Sequence, residues 1–195
     1  MVWKGVSLRM IYLVIGPSCS GKTQFVTNSF IKSDSRCIKD LIKITVTDTS
    51  ILIGDYTTNN KVRGTDRISR SQLKLIAPQI IKSFNDTKLD IVAEGINVCW
   101  DFVLEDLIPY KEHIKLIYIN CSKETSLLRN YQINENANSS WFKAVYTRSF
   151  NTFNKYKNVF DSYIVDTERG VDFNLISLDT VTLNPWHSNA MKRLF

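Results

Sequence analysis

The sequence predicts an α/β fold in which a mostly parallel central sheet is flanked by helices on both faces. Three observations lead there. Residues 10–15 are a continuous apolar run, the pattern of a strand covered on both sides, and 89–93 and 114–119 read as further, mostly apolar strands. Helix-like segments separate these runs. No internal repeat and no long polar linker interrupts the alternation, as expected for parallel strands joined by crossover helices. The 195 residues therefore read as one domain, with a core over 10–166 and a tail over 174–195 that the pattern leaves unassigned.

The first strand, 10–15, runs directly into a glycine-bounded loop, and a helix follows over 24–30. Residues 42–46 alternate apolar and polar positions and, with 51–53 beyond a Thr-Asp-Thr-Ser turn, suggest a β-hairpin. Residues 54–67 are polar and read as a loop with no part in the core. Ser69 or Ser71 is a candidate cap for a helix reaching about Phe84, with Leu73, Ile76, Ile80 and Ile81 inward and Pro78 producing a kink. After the strands at 89–93 and 114–119, Ser122 is placed to cap a helix through Arg129. A long helix over 140–156 and a short strand at 163–165 complete the core.

Composition narrows the class. Hydrophobic residues at 44% and charged residues at 23% suit a globular core, and 7 Gly with 4 Pro exclude a collagen-like or linker-like chain. No apolar run approaches the roughly 18 residues of a membrane span, and the first residues lack a secretory h-region, so a cytoplasmic protein without membrane contact is expected. A net charge of +6 suits an anionic partner such as a nucleotide or nucleic acid. Cys19, Cys37, Cys99 and Cys121 form no C-x-x-C pair, and only His113 and His187 could join them. Reduced thiols are expected rather than a zinc or disulfide framework.

The most specific signal is Gly16-Pro17-Ser18-Cys19-Ser20-Gly21-Lys22-Thr23, which satisfies G-x-x-x-x-G-K-[ST] between an apolar strand and a helix. The glycines let successive main-chain N–H groups converge on one anion, and the helix start adds its positive end. Lys22 supplies a point charge for the β- and γ-phosphates of a nucleoside triphosphate, and the Thr23 hydroxyl suits Mg²⁺. Gly16, Ser18, Cys19, Ser20, Gly21, Lys22 and Thr23 are thus the candidate triphosphate-binding residues. Strand, loop, helix and later strand ends together resemble the P-loop kinases of nucleotides and small substrates. The resemblance spans most of residues 10–166 and implies a P-loop NTPase fold with ATP and Mg²⁺ as cofactors.

Glu94 ends the run Leu89-Asp90-Ile91-Val92-Ala93, and in a parallel sheet that end opens toward the phosphate loop. A carboxylate there can hold Mg²⁺ with Thr23, orient the attacking group or take its proton. Asp40, Asp48 and Asp90 have no such context and read as solvated.

The polar stretch 54–69 carries Lys61, Arg63 and Arg67 around Asp66. Asp66, hemmed by cations, is expected to stay ionised and to accept a hydroxyl proton, while Arg63 and Arg67 suit acceptor phosphates. Gly-Asp-Tyr followed by Arg-Gly-Thr-Asp-Arg-Ile-Ser resembles phage-type P-loop kinases with a Gly-Thr-Asp motif. That group includes kinases of 5-hydroxymethyl-pyrimidines, such as 5-hydroxymethyluracil, already built into DNA. The resemblance implies Asp66 as the acceptor-side catalytic residue, Thr65 beside it in substrate binding, and DNA with modified pyrimidines as partner.

Residues 130–140 form an Asn-rich stretch placed where nucleotide kinases carry a lid. By that likeness Arg129 and Arg148 are the candidates for the transferred phosphoryl group. Tyr56, Trp100 and Trp141 offer faces for stacking on a base, Tyr56 and Trp100 foremost, whereas Trp3 and Trp186 read as packing residues. The leading expectation is a kinase that phosphorylates a hydroxymethyl-pyrimidine in DNA. A free-nucleotide or nucleoside kinase, and a DNA-binding ATPase with no phosphoryl acceptor, share the same donor-side parts. The sequence does not determine the oligomeric state.

Overall fold

In the computed structural model of the chain, residues 9–31, 34–57, 64–133, 139–168 and 184–185 are described. The strands are β1 (Ile11–Ile15), β2 (Arg36–Lys39), β3 (Lys43–Val46), β4 (Ser50–Ile53), β5 (Asp90–Glu94), β6 (Ile114–Asn120), β7 (Asp161–Asp166) and the two-residue β8 (Asn184–Pro185). They form one sheet in the order β2-β3-β4-β5-β1-β6-β7-β8. From β4 to β7 every pairing is parallel, while β2-β3-β4 is an antiparallel ribbon at one edge and β8 pairs antiparallel at the other. The helices are α1 (Lys22–Phe30), α2 (Ile76–Asp86), α3 (Asp101–Leu107), α4 (Lys123–Ile133) and α5 (Ser139–Tyr156).

Side chains alternate across the strands, which produces two apolar layers. Ile11, Leu13 and Ile15, with Ile91, Ala93 and Leu116, face Ile76 and Ile80 of α2, Val103 and Leu104 of α3 and Phe153 of α5. Val14, Leu52, Val92, Ile117 and Ile119 face the opposite way, onto Phe25, Val26 and Phe30 of α1. The sheet is thus mostly parallel and covered by helices on both faces. Among the described residues no helix is long and apolar enough to cross a membrane.

Several elements differ from expectation. The short, polar strand β2 carries no apolar run and is recognisable only from its pairing with β3. The helix expected from Ser69 or Ser71 is a 3₁₀ segment over Arg70–Leu75 that becomes α-helical at Ile76. Ser69 makes no capping bond there. Its hydroxyl instead meets Ser71 Oγ and Gln72 Oε1. Pro78 falls in the first turn of α2, where an absent N–H removes no helical bond, so the kink expected of it is not needed. Ser122 does cap α4, its Oγ accepting from the Thr125 N–H at 3.2 Å. Asp90 is half-buried rather than solvated and accepts the Met10 N–H at 2.9 Å, tying the start of β1 to β5. Burial raises its carboxyl above the ordinary range.

The described parts of the stretch, 54–57 and 64–67, also depart from a solvated loop. Gly54, Asp55, Tyr56, Gly64 and Thr65 are buried, and Tyr56 belongs to the α1-side core. Gly54 has φ +118°, and a Cβ there would stand 2.5 Å from the Gly64 carbonyl oxygen. Two backbone segments meet at this point with no room for a side chain. Replacing Gly54 by Ala is expected to destabilise the fold by about 1–3 kcal/mol through backbone strain alone, with the clash adding to it. Denaturant unfolding checks this, and an unchanged midpoint would refute the close approach.

Candidate active site

The parallel register aligns Val14 with Glu94 and Ile15 with Tyr118, so β1, β5 and β6 end together on one edge of the sheet. The helix after β1 and the segment after β5 pack on opposite faces of the sheet, the arrangement that opens a crevice at the carboxyl ends of the strands. The loop after β1 occupies it. Gly16 adopts φ +151°, and a Cβ would lie 2.5 Å from the Ile119 carbonyl oxygen. Cys19 takes a left-handed conformation at φ 58°, as does Gly21 at φ 96°. These turns wrap the loop onto the start of α1, whose N-terminus has neither a side-chain cap nor an acidic residue in its first turn. An uncapped helix start presents free N–H groups and a positive dipole end, a setting suited to an anion.

Neighbouring elements brace the loop from behind. Thr167 Oγ1 lies 2.9 Å from both the Ser20 and the Asn120 carbonyl oxygens, and Ser126 Oγ donates to the Ser18 carbonyl. The Cys19 thiol points to Asn130 Oδ1 at 3.6 Å. Lys22 is buried, and its ammonium donates to the Pro17 carbonyl at 2.6 Å, so the charge lies across the loop it would serve. Ser20 Oγ is buried without a partner among the described residues.

Thr23 links this loop to β5. Its hydroxyl donates to Glu94 Oε1 at 2.9 Å, while Glu94 Oε2 is buried and has no hydrogen-bond partner among the described residues. The two residues expected to share a metal therefore touch. A hydroxyl beside a carboxylate with an orphaned oxygen is an oxygen-only donor pair of the kind Mg²⁺ uses together with phosphate oxygens and water.

The Gly-Thr-Asp segment docks on the same strand end. Gly64 sits against Glu94, where a Cβ would approach Oε1 to 2.6 Å and the Tyr56 hydroxyl to 2.7 Å. Thr65 Oγ1 donates to the Glu94 carbonyl at 2.7 Å, and Asn97 Nδ2 returns a bond to the Thr65 carbonyl at 2.8 Å. Asp66 Oδ1 accepts the Ile96 N–H at 2.7 Å, and Gly95, at φ +120°, leaves no space for a Cβ between its backbone and this carboxyl. Lys22, Thr23, Asp66 and Glu94 thus gather into one cluster.

Its electrostatics correct one expectation. Asp66 keeps an open edge to solvent, yet its carboxyl is crowded from behind, and this desolvation pushes its pKa up. Lys22 and the N–H groups of Ile96 and Asn97 only partly offset the effect. Glu94 is pushed up to about 7, first by burial and then by the Asp66 charge, against the pull of Lys22, Thr23 and Tyr56. Two carboxylates held near each other resist ionising together.

The remaining candidates separate. Thr65 is fully buried and fastens the segment to β5, so it positions its neighbour rather than meeting substrate. Tyr56, at 5% exposure, offers no stacking face; its hydroxyl lies beside Gly64, next to the Glu94 carboxyl. Arg67 is exposed and lines a cleft of about 370 Å³ with Lys39, Lys43 and Asp55. Arg129 donates to the Thr167 carbonyl at 2.7 Å and to Cys121 Sγ at 3.4 Å, so it braces the strap behind the loop over 16–23. Arg148, expected beside the transferred phosphoryl group, lies with its guanidinium 4.2 Å from the Trp100 ring centre. Arg63 and Lys61, Trp3 and Trp186, residues 134–138 of the expected lid and nearly all of the tail lie outside the described residues. Asn97, whose amide locks Thr65, carries no motif and escapes sequence reading.

No family model matches the chain, and no curated protein matches it in sequence.

The raised Glu94 carboxyl has a consequence for stability. Its folded pKa stands above the ordinary value, so its contribution is fully present below about 4.5 and is lost as pH rises through about 7. In EDTA, without nucleotide, the melting temperature should fall between pH 5 and pH 8. Glu94→Gln should flatten that slope and raise the melting temperature at pH 8. An unchanged slope in the variant would remove Glu94 as its source.

Proposed function

We propose that the chain is a P-loop NTPase-fold kinase that transfers the γ-phosphoryl group of ATP to a hydroxyl, that of a 5-hydroxymethyl-pyrimidine in DNA. The observation that carries the reading is the contact chain from the phosphate loop through Thr23 and Glu94 to the docked Gly-Thr-Asp segment. It gathers anion-binding, metal-binding and proton-accepting groups at one strand edge. The basic cleft with Lys39, Lys43 and Arg67 beside Gly64 suits a polyanionic acceptor, which favours DNA over a free nucleoside.

Each residue then has a definable task. Loop amides and Lys22 hold the triphosphate. The Lys22 ammonium must leave the Pro17 carbonyl to meet it, exchanging one acceptor for a stronger, charged one. Thr23 and Glu94 would hold Mg²⁺, which when bound neutralises phosphate charge. Asp66, fixed by the Ile96 N–H and exposed on its outer side, orients the acceptor hydroxyl and takes its proton as that oxygen bonds to the γ-phosphorus and the bond from phosphorus to the bridging oxygen breaks, releasing ADP. Because such transfers proceed through a loose transition state, charge placement supplies most of the rate.

Lys22→Ala should lower transfer by about 10²–10³-fold or more and weaken ATP binding. Asp66→Asn should keep ATP binding while losing roughly 10²–10⁴-fold in transfer. The assay follows label from γ-labelled ATP into hydroxymethylated DNA, unmodified DNA and free nucleotides. Label confined to free nucleotides would overturn the DNA acceptor, and phosphate release with no labelled acceptor would overturn the kinase.

A further inference from the structure

A second cleft, of about 340 Å³, opens on the other side of the 3₁₀ segment from the basic one. The two share Ile68. Its walls include Trp100 and Arg148 in cation–π contact, Trp141 from the first turn of α5 and Arg70. Its floor includes Ile96 and Asn97, the residues whose N–H and amide hold Asp66 and Thr65. The cleft therefore abuts the proposed reaction centre through shared residues.

The chemistry of the lining is selective. Two indoles and two guanidinium groups face this space, and among the described residues no carboxylate lines it. Trp141 is 54% exposed, an unusual state for an indole. The Trp100 ring fixes the plane of Arg148 and leaves the charge in place. The flat aromatic faces suit a planar base, and the guanidinium groups suit the negative phosphate attached to it. The volume matches a single nucleotide, near the lower limit of small-ligand sites.

We infer that this cleft is the acceptor-base site: it receives one pyrimidine nucleotide, stacked on Trp141 beside the Trp100–Arg148 pair, with Arg70 toward its phosphate. This rests on the kinase reading for its role, although base binding can be measured without it. A ring seated above Ile96 and Asn97 would direct a substituent arm toward Asp66. In duplex DNA such a base must leave the stack, so single-stranded or flipped nucleotides are the form the cleft accepts.

The experiment measures anisotropy of a dye-labelled single-stranded oligonucleotide carrying one 5-hydroxymethyluracil, against the same strand with an abasic position, with no ATP present. The abasic strand should bind more weakly. Trp141→Ala and Arg148→Gln should each weaken the base-bearing strand roughly tenfold or more and bring it level with the abasic one. ATP affinity of Trp141→Ala should be unchanged, which certifies its fold. Competition by free 5-hydroxymethyl-deoxyuridine monophosphate at equal affinity would assign the cleft to free nucleotides, and competition only by strands would assign it to polymer. Either result supports the site. Equal binding of both strands, or wild-type affinity in both variants, overturns it. Loss of label transfer in a protein that still discriminates the two strands would overturn the kinase reading alone.

Discussion

Parallel pairing between β1 and β5 is the constraint on which the site depends. It sets Val14 level with Glu94, and so brings the residues that follow each strand to the same height. Everything downstream uses that alignment. Thr23 reaches Glu94 because α1 starts where β1 stops, and Thr65 reaches the Glu94 carbonyl because β5 stops beside it. A slip of one residue would turn Glu94 toward the opposite layer and leave Ala93 at the edge.

The glycines make this alignment usable. Gly64 and Gly95 bring two chain segments close enough for the Asp66 and Glu94 carboxyls to feel one another. Neither distance would survive a Cβ. The Gly-Thr-Asp segment is consequently part of the core at Gly64 and Thr65 and part of the surface at Asp66 and Arg67, a transition completed within one 3₁₀ turn.

What could be read from the sequence follows how local the information is. The loop over 16–23, the helix after it and the acid at the end of a buried strand are carried by contiguous residues, so motif and apolar pattern suffice to find them. The layout of β1, β5, β6 and β7 was legible for the same reason. Strand β2 was not, since its side chains are mostly exposed and its identity lies in a pairing partner. The task of Thr65 was hidden because its acceptor is a main-chain oxygen 29 positions away. Asp66 was misjudged on charge: Lys22 and the N–H groups it accepts do not outweigh the desolvation imposed by the strand end it packs against. The partnership of Arg148 with Trp100 joins a helix face to a loop, and no periodicity reports that.

A carboxyl held near neutrality by its surroundings keeps a proton for part of the population at ordinary pH. Any divalent ion that comes to rest on Glu94 evicts it, because the ligand must be the anion. Loading this protein would thus acidify an unbuffered solution. The heat recorded in a titration calorimeter would then vary with the ionisation enthalpy of the buffer chosen.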